Sequence, residues 1–156
     1  MVTANEMPPM ATPRVAAGAL FFDDEGRVLL VRPNYKEHWD IPGGYVEPGE
    51  SPRSACIREI REELNLNVDI GSLLVVDWAP VVGEGDKILF IFDAGVLSDE
   101  DQHLIAFVDG EIEEWRFAAS DEIHGFLPNR LARRIRVAIA ARQCGRTAYA
   151  EHGSES

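Results

Sequence analysis

The segment from Gly44 to Leu66 constrains the fold more than any other part of the chain, because it contains signals for both ends of a helix. Ser51 can cap the free amides of a first turn, and Pro52 fits within that turn. Asn65 tolerates the left-handed backbone with which many helices end. Between these ends, apolar residues recur at helical spacing, so the sequence predicts one amphipathic helix with a buried stripe.

Three carboxylates lie near the end of this helix: Glu59, Glu62 and Glu63. Offsets of three and four residues place them on one face, where like charges repel by a few tenths of a kcal/mol per pair. Hard divalent ions such as Mg²⁺ bind carboxylate oxygens and share them with substrate phosphates. The alternative is a solvated acidic face with Arg–Glu pairs. We favour a metal-assisted phosphoryl site, because a sequence that accumulates like charges on one helix face usually has a cation to bind there.

The rest of the chain alternates apolar runs with turn residues, which predicts an α/β fold. Strands are expected at residues 15–22, 28–31, 68–78, 87–96 and 112–118, and a final helix at 129–143. We expect one domain at residues 14–145. A flexible N-terminal arm (1–13) and a flexible C-terminal tail (146–156) would flank it.

The acidic segment resembles the signature of the Nudix hydrolases, G-x5-E-x7-R-E-U-x-E-E-x-G-U, in which U is aliphatic. Gly44, Glu50 and the run REIREELNL at 58–66 match every fixed position except the last glycine, which is Asn65 here. The preceding residues WDIPGG also resemble the W-x-L-P-G-G sequence common in this family. The resemblance implies a Nudix α/β/α sandwich, with a mixed central sheet flanked by helices.

The resemblance also implies roles for individual residues. Glu59, Glu62 and Glu63 would hold one or more Mg²⁺ or Mn²⁺ ions, with Glu59 and Glu63 as the expected direct ligands. The backbone carbonyl of Gly43 often joins them, and Glu50 would be a looser ligand through water. In catalysis, Glu59 would take the proton from the attacking water, Arg58 would hold the catalytic carboxylate by charge-assisted hydrogen bonds, and Glu62 would assist.

A further acid in this family often comes from a distant strand or loop. The candidates here are Glu111, Glu113 and Glu114. Alternation along the strand puts Glu114 on the face opposite Glu113, so we expect Glu113 at the substrate.

The sequence does not identify the substrate. Trp39, Tyr45 and Trp78 are candidates to stack on a base, although each fits a core position equally well. Pro80 follows the motif at nearly the spacing of a proline seen in ADP-ribose pyrophosphatases, but the register is imperfect. The prediction is a metal-dependent pyrophosphohydrolase that cleaves a diphosphate linkage in a nucleoside triphosphate or a nucleotide sugar such as ADP-ribose. The alternative is a non-catalytic Nudix-fold sensor that binds a nucleotide.

Charge and composition restrict the partners. The net charge of −12 argues against a nucleic-acid polymer, whereas a small phosphate remains compatible because a bound cation reverses the local sign. The absence of a long apolar run predicts no membrane span, and the spacing of Cys56 and Cys144 predicts free thiols, so we expect a cytoplasmic protein. The family resemblance allows a homodimer. The arginines of the last helix are interpreted as a solvated face: Arg130, Arg133, Arg134 and Arg136.

Overall fold

The computed structural model describes residues 7–156. Part of the predicted N-terminal arm, residues 1–6, lies outside this range. Residues 7–13 have no regular secondary structure and are mostly exposed. The ordered domain then begins with the first strand.

Within residues 7–156, one sheet contains eight strands: β1 Arg14–Phe22, β2 Val28–Pro33, β3 Gly43–Tyr45, β4 Leu73–Trp78, β5 Lys87–Val96, β6 Ile112–Ala118, β7 Ala148–Glu151 and β8 Ser154–Glu155. Their order is β6-β2-β1-β5-β4-β7-β8, with β3 paired to β1. The pairs β1–β5 and β4–β7 are parallel and the others antiparallel, so the sheet is mixed as expected. The helices are α1 Pro52–Leu64, α2 Asp99–Leu104 and α3 Asn129–Cys144, with a short 3₁₀ turn at Ile123–Gly125.

Helix α1 begins and ends where the sequence predicts. The Ser51 side chain accepts a hydrogen bond from the Ser54 amide, and Asn65 has left-handed torsions of φ 60° and ψ 33°. Its apolar stripe, which includes Cys56, Ile60 and Leu64, is fully buried against one face of the sheet.

Helix α3 covers the other face of the sheet, where Ala132, Ile135 and Ala138 pack on Leu20 and Ile91. The expected α/β/α sandwich is therefore confirmed. Each helix stabilises the fold by removing one apolar sheet face from water.

Several short elements differ from the prediction. The fourth strand begins at Leu73 rather than at residue 68, and β3 and α2 were not predicted. Helix α2 has only six residues and no buried one, so it lacks the apolar periodicity by which helices are recognised.

The C-terminal residues do not form the expected flexible tail. Strand β7 pairs in parallel with β4, and β8 folds back on β7. Ala148 and Ala150 are buried against the core, and the segment has few other apolar residues to signal this. The prediction of a flexible tail is wrong for residues 148–155, because small alanines and backbone hydrogen bonds hold the segment in place.

Two further expectations concern the whole domain. Both cysteines are free, Cys56 buried and Cys144 exposed. Among the helices of residues 7–156, none has the length and apolar character needed to cross a bilayer.

Candidate active site

Arg58 connects the acids of the motif. Its guanidinium donates from Nε and Nη2 to both oxygens of Glu50, at 2.8 and 2.9 Å, and from Nη1 to Glu59 at 2.9 Å and Glu62 at 3.2 Å. A fifth contact of 3.2 Å joins Nη2 to the carbonyl of Tyr45. The contact to Glu59 is the one that the family resemblance implies for this arginine.

Glu50 pairs with Arg58, whose guanidinium also contacts Glu59 and Glu62. The hydrogen bonds from Arg58 and from the Glu47 amide lower the pKa of Glu50 to about 2. Its bidentate pairing fixes the plane of the guanidinium. The geometry therefore makes Glu50 a support for Arg58.

The Glu59 carboxylate packs directly against the backbone of Gly44. A Cβ atom at Gly44 would lie 2.5 to 2.9 Å from the three carboxylate atoms, so only glycine leaves this space open. Burial raises the pKa of Glu59, while Arg58 counteracts this effect. Half-buried and held by Arg58, this carboxylate is fixed near the surface of the sheet.

Glu63 lies one turn further along α1 and is almost fully buried, with 4% of its surface exposed. Its Oε1 accepts a hydrogen bond of 2.8 Å from the Gly43 amide. Burial raises the pKa of Glu63 to about 9, and the neighbouring charge of Glu59 adds to the increase. A buried carboxylate with so little compensation is suited to a cation.

The acids of α1 can provide two carboxylate ligands for a divalent cation, but not a complete coordination shell. Within residues 7–156, no group of three or more His, Cys, Asp or Glu side chains converges on one point. Glu62 is directed towards Arg58 and remains half-exposed. However, Mg²⁺ typically takes one or two protein carboxylates and completes its shell with water and substrate phosphates. Glu59 and Glu63 supply such a pair.

A cavity of about 680 Å³ adjoins this pair. Glu63, Gly43 and Gly44 form part of its lining, together with residues from β1, β5 and the start of α3. Its walls include aliphatic side chains, and its size is in the range of small-molecule sites. With a substrate phosphate bound at Glu59 and Glu63, this cavity would be free to hold the rest of the substrate.

Of the four predicted substrate contacts, the structure brings Tyr45 to this cavity. Its ring lies 5.0 Å from Lys87 Nζ, and its hydroxyl contacts Glu84 at 3.3 Å. Trp39 packs edge-to-face on Phe126, with 5.7 Å between ring centroids. The cavity lining does not include Trp39, Trp78 or Glu113.

The expected separation of Glu113 and Glu114 is not observed. Both carboxylates contact Arg32, at 3.1 and 3.5 Å. The cause is a register shift between Arg32 and Pro33, which interrupts the regular alternation of the β2–β6 pair. The charge of Glu111 contributes to the raised pKa of Glu59.

Sequence reasoning missed the basic residues that line the cavity: Lys36, Lys87, Arg130 and Arg134. The solvated arginine face predicted for α3 is wrong for Arg134, which is buried and paired with Asp77. Arg130 and Arg133 bind the C-terminal segment. The reason is the packing of β7 and β8 beside α3, which the sequence did not indicate.

This chain resembles known proteins in sequence and in fold. A family model described as NUDIX domain matches residues 12–141. The CTP pyrophosphohydrolase of Escherichia coli (strain K12) is 36% identical over 69 residues, covering 42% of this chain and 51% of that protein. The diphosphoinositol polyphosphate phosphohydrolase 2 of Homo sapiens is 42% identical over 53 residues, covering 33% of this chain and 29% of that protein.

A solved structure, the MutT protein from Methanosarcina mazei Go1, superposes with a TM-score of 0.69 at 22% identity, over 88% of this chain and 99% of that one. At this identity the likeness concerns the fold. The chain spans about half or less of the length of the first curated relatives it matches, between 27% and 51%.

Proposed function

Because this chain belongs to the Nudix family, we propose that it is a metal-dependent hydrolase that cleaves a diphosphate linkage in a nucleoside diphosphate derivative. The observation that carries the proposal is the pair Glu59 and Glu63. Glu63 accepts a hydrogen bond from Gly43 and lines a cavity of about 680 Å³, and Glu59 packs against Gly44, which lines the same cavity. Both carboxylates have raised pKa values, and such perturbed groups cluster at functional sites.

Each motif residue has a role in this proposal. Glu59 and Glu63 would hold Mg²⁺ or Mn²⁺, with Glu62 and the Gly43 carbonyl as additional ligands. When bound, the cation supplies charge neutralisation of the phosphates and a more acidic water. Glu59 accepts the proton of the attacking water. Arg58 positions Glu59, and Glu50 fixes Arg58.

The substrate in this proposal is a small nucleotide, either a nucleoside triphosphate or a nucleotide sugar. The diphosphate lies at the two acids, and the cavity takes the group attached to it. The strongly acidic surface disfavours long nucleic acids. The proposal also includes a cytoplasmic location and a homodimer.

The proposal is tested with a panel of nucleoside triphosphates, ADP-ribose, nucleotide sugars and a diphosphoinositol phosphate as a non-nucleotide member. Each is incubated with Mg²⁺ or Mn²⁺, and products are identified by chromatography. We expect a nucleoside monophosphate as one product and no reaction in the presence of a chelator. Nucleotide binding without any metal-dependent product would instead support the sensor alternative.

Glu63→Gln is the sharpest variant for this proposal. We expect turnover to fall by about 10²-fold or more, because the neutral amide cannot hold a divalent cation. The melting temperature should not fall, since the amide oxygen can still accept the Gly43 hydrogen bond and no buried charge remains. Glu100→Gln on α2 is the matched control and should retain full activity. Wild-type turnover in Glu63→Gln would refute the metal assignment.

A further inference from the structure

The basic residues of the cavity differ in how their charges are compensated. Three of them contact a carboxylate: Lys36 with Asp40 at 2.7 Å, Lys87 with Glu84 at 3.5 Å, and Arg134 with the buried Asp77. Arg130 has no such partner among residues 7–156. It therefore brings an uncompensated positive charge to the lining of the cavity.

The hydrogen bonds of Arg130 orient its guanidinium and leave Nε and Nη1 without a partner among the described residues. Nη2 donates to the Pro80 carbonyl at 3.1 Å and to Nδ1 of His152 at 3.1 Å. Nε is buried and has no partner within the described part of the chain. Nη1 makes no hydrogen bond to a described residue, so its two N–H groups remain for a ligand.

The C-terminal segment keeps this guanidinium in place. His152 lies in the turn between β7 and β8, and its backbone amide donates a hydrogen bond of 2.8 Å to the Trp78 carbonyl. The next residue, Gly153, donates to Asp77 at 3.1 Å. A donor immobilised in this way loses little entropy on binding and discriminates well between ligands.

We propose, on the basis of the function proposed above, that Arg130 determines substrate specificity by binding an acceptor oxygen on the group that extends from the diphosphate into the cavity. The aliphatic side chains of Leu89, Ile91 and Leu131 line the same cavity and suit the faces of a planar ring. A ring carbonyl supplies the required acceptor at the edge of such a ring. A sugar or phosphate oxygen has the same chemistry, and the experiment separates these sources.

The test compares Arg130→Gln with Arg133→Gln. Both variants remove an α3 arginine that binds His152, but the cavity lining includes only Arg130. Substrates are paired so that they differ at one ring edge: ITP has a carbonyl where ATP has an amino group. We expect Arg130→Gln to lower kcat/KM for ITP by about 10- to 100-fold and that for ATP much less. Arg133→Gln should change neither kcat/KM value by more than about 3-fold, because Arg133 lies outside the cavity lining and a single peripheral contact contributes little.

Equilibrium binding provides a readout that does not depend on turnover. The dissociation constants of non-hydrolysable methylene analogues of ITP and ATP are measured by calorimetry for the same variants, and we expect the same ranking. Arg130→Lys, which keeps the charge and loses the planar fork, is the second variant should Arg130→Gln not fold.

Each result has a defined meaning. A selective loss on ITP supports binding of a ring carbonyl, whereas equal losses on both nucleotides, absent in Arg133→Gln, support a sugar or phosphate oxygen. Equal behaviour of the Arg130 and Arg133 variants would overturn the inference. Failure of the wild type to hydrolyse any nucleotide would instead contradict the proposed function, and the binding arm would still decide the role of Arg130.

Discussion

At Gly44 the backbone packs directly against a candidate catalytic carboxylate, that of Glu59. Gly44 pairs with Ala17 in the β3–β1 ladder, and a methyl group there would overlap the Glu59 carboxylate. Because the end of a glutamate side chain can rotate away, the fold would tolerate alanine while Glu59 moves. We therefore expect Gly44→Ala to lower kcat/KM by about 10²-fold, as displacements of about 1 Å at a reacting group do.

The matched control for this prediction is Gly125→Ala. A Cβ at Gly125 meets no atom within 4 Å, so this variant should retain its activity and its melting temperature. Steady-state kinetics and thermal melts of the two variants check the prediction. A fully active Gly44→Ala would indicate that Glu59 does not need its observed position.

The acids of α1 illustrate what sequence reveals about single residues. Spacing alone placed Glu59 and Glu63 one turn apart on one helix face, and the family resemblance added the Gly43 carbonyl beside them. Spacing could not show that Glu50 pairs with Arg58, because that contact joins a loop to a helix and depends on the fold. Arg130 was missed for the same reason, since its role depends on a C-terminal segment without a strong apolar pattern.

At the scale of elements, the end of α1 depends on the left-handed backbone of Asn65. Alanine in this conformation costs about 1 to 2 kcal/mol, whereas glycine adopts it freely. We expect Asn65→Ala to be less stable than Asn65→Gly by about 1 kcal/mol in urea denaturation. Activity should change little in both variants, because the acids precede this residue. Equal stabilities would show that residue 65 is not left-handed in solution.

Long elements with a clear period were predictable, and short ones were not. The ranges of β5 and β6 agree with the sequence prediction, and α1 was identified by its caps. Strand β3 has three residues and contains two glycines, so its position depends on pairing with β1 rather than on its own preference. Strand β7 likewise depends on β4 and on burial of two alanines.

At the scale of the whole molecule, the C-terminal strands complete the domain. Removing residues 148–156 would take the Gly153 donor from Asp77, expose the edge of β4 and remove the anchor of Arg130. We expect a loss of about 3 kcal/mol or more, which corresponds to a melting temperature lower by about 10 °C for a domain of this size. Differential scanning calorimetry of the shortened chain measures this effect.

Removal of only residues 154–156 is the control. It keeps Gly153 and removes β8, so it loses the short β7–β8 pairing and the exposed ion pair between Arg146 and Glu155, and such an ion pair contributes about 0 to 1 kcal/mol. An equally small effect of the longer deletion would contradict the integration of β7 into the sheet. The cavity as a whole was beyond sequence prediction, because its lining comes from β1, β5, α3 and several loops at once.

The position of Asp77 also has a consequence for how this polypeptide is made. Its strand emerges from the ribosome well before Arg134 and Gly153, the two residues that satisfy its carboxylate. A nascent chain would therefore carry an unsatisfied acid in its growing sheet until both have been translated. We expect α1 to pack on its face of the sheet before α3 completes the lining of the cavity.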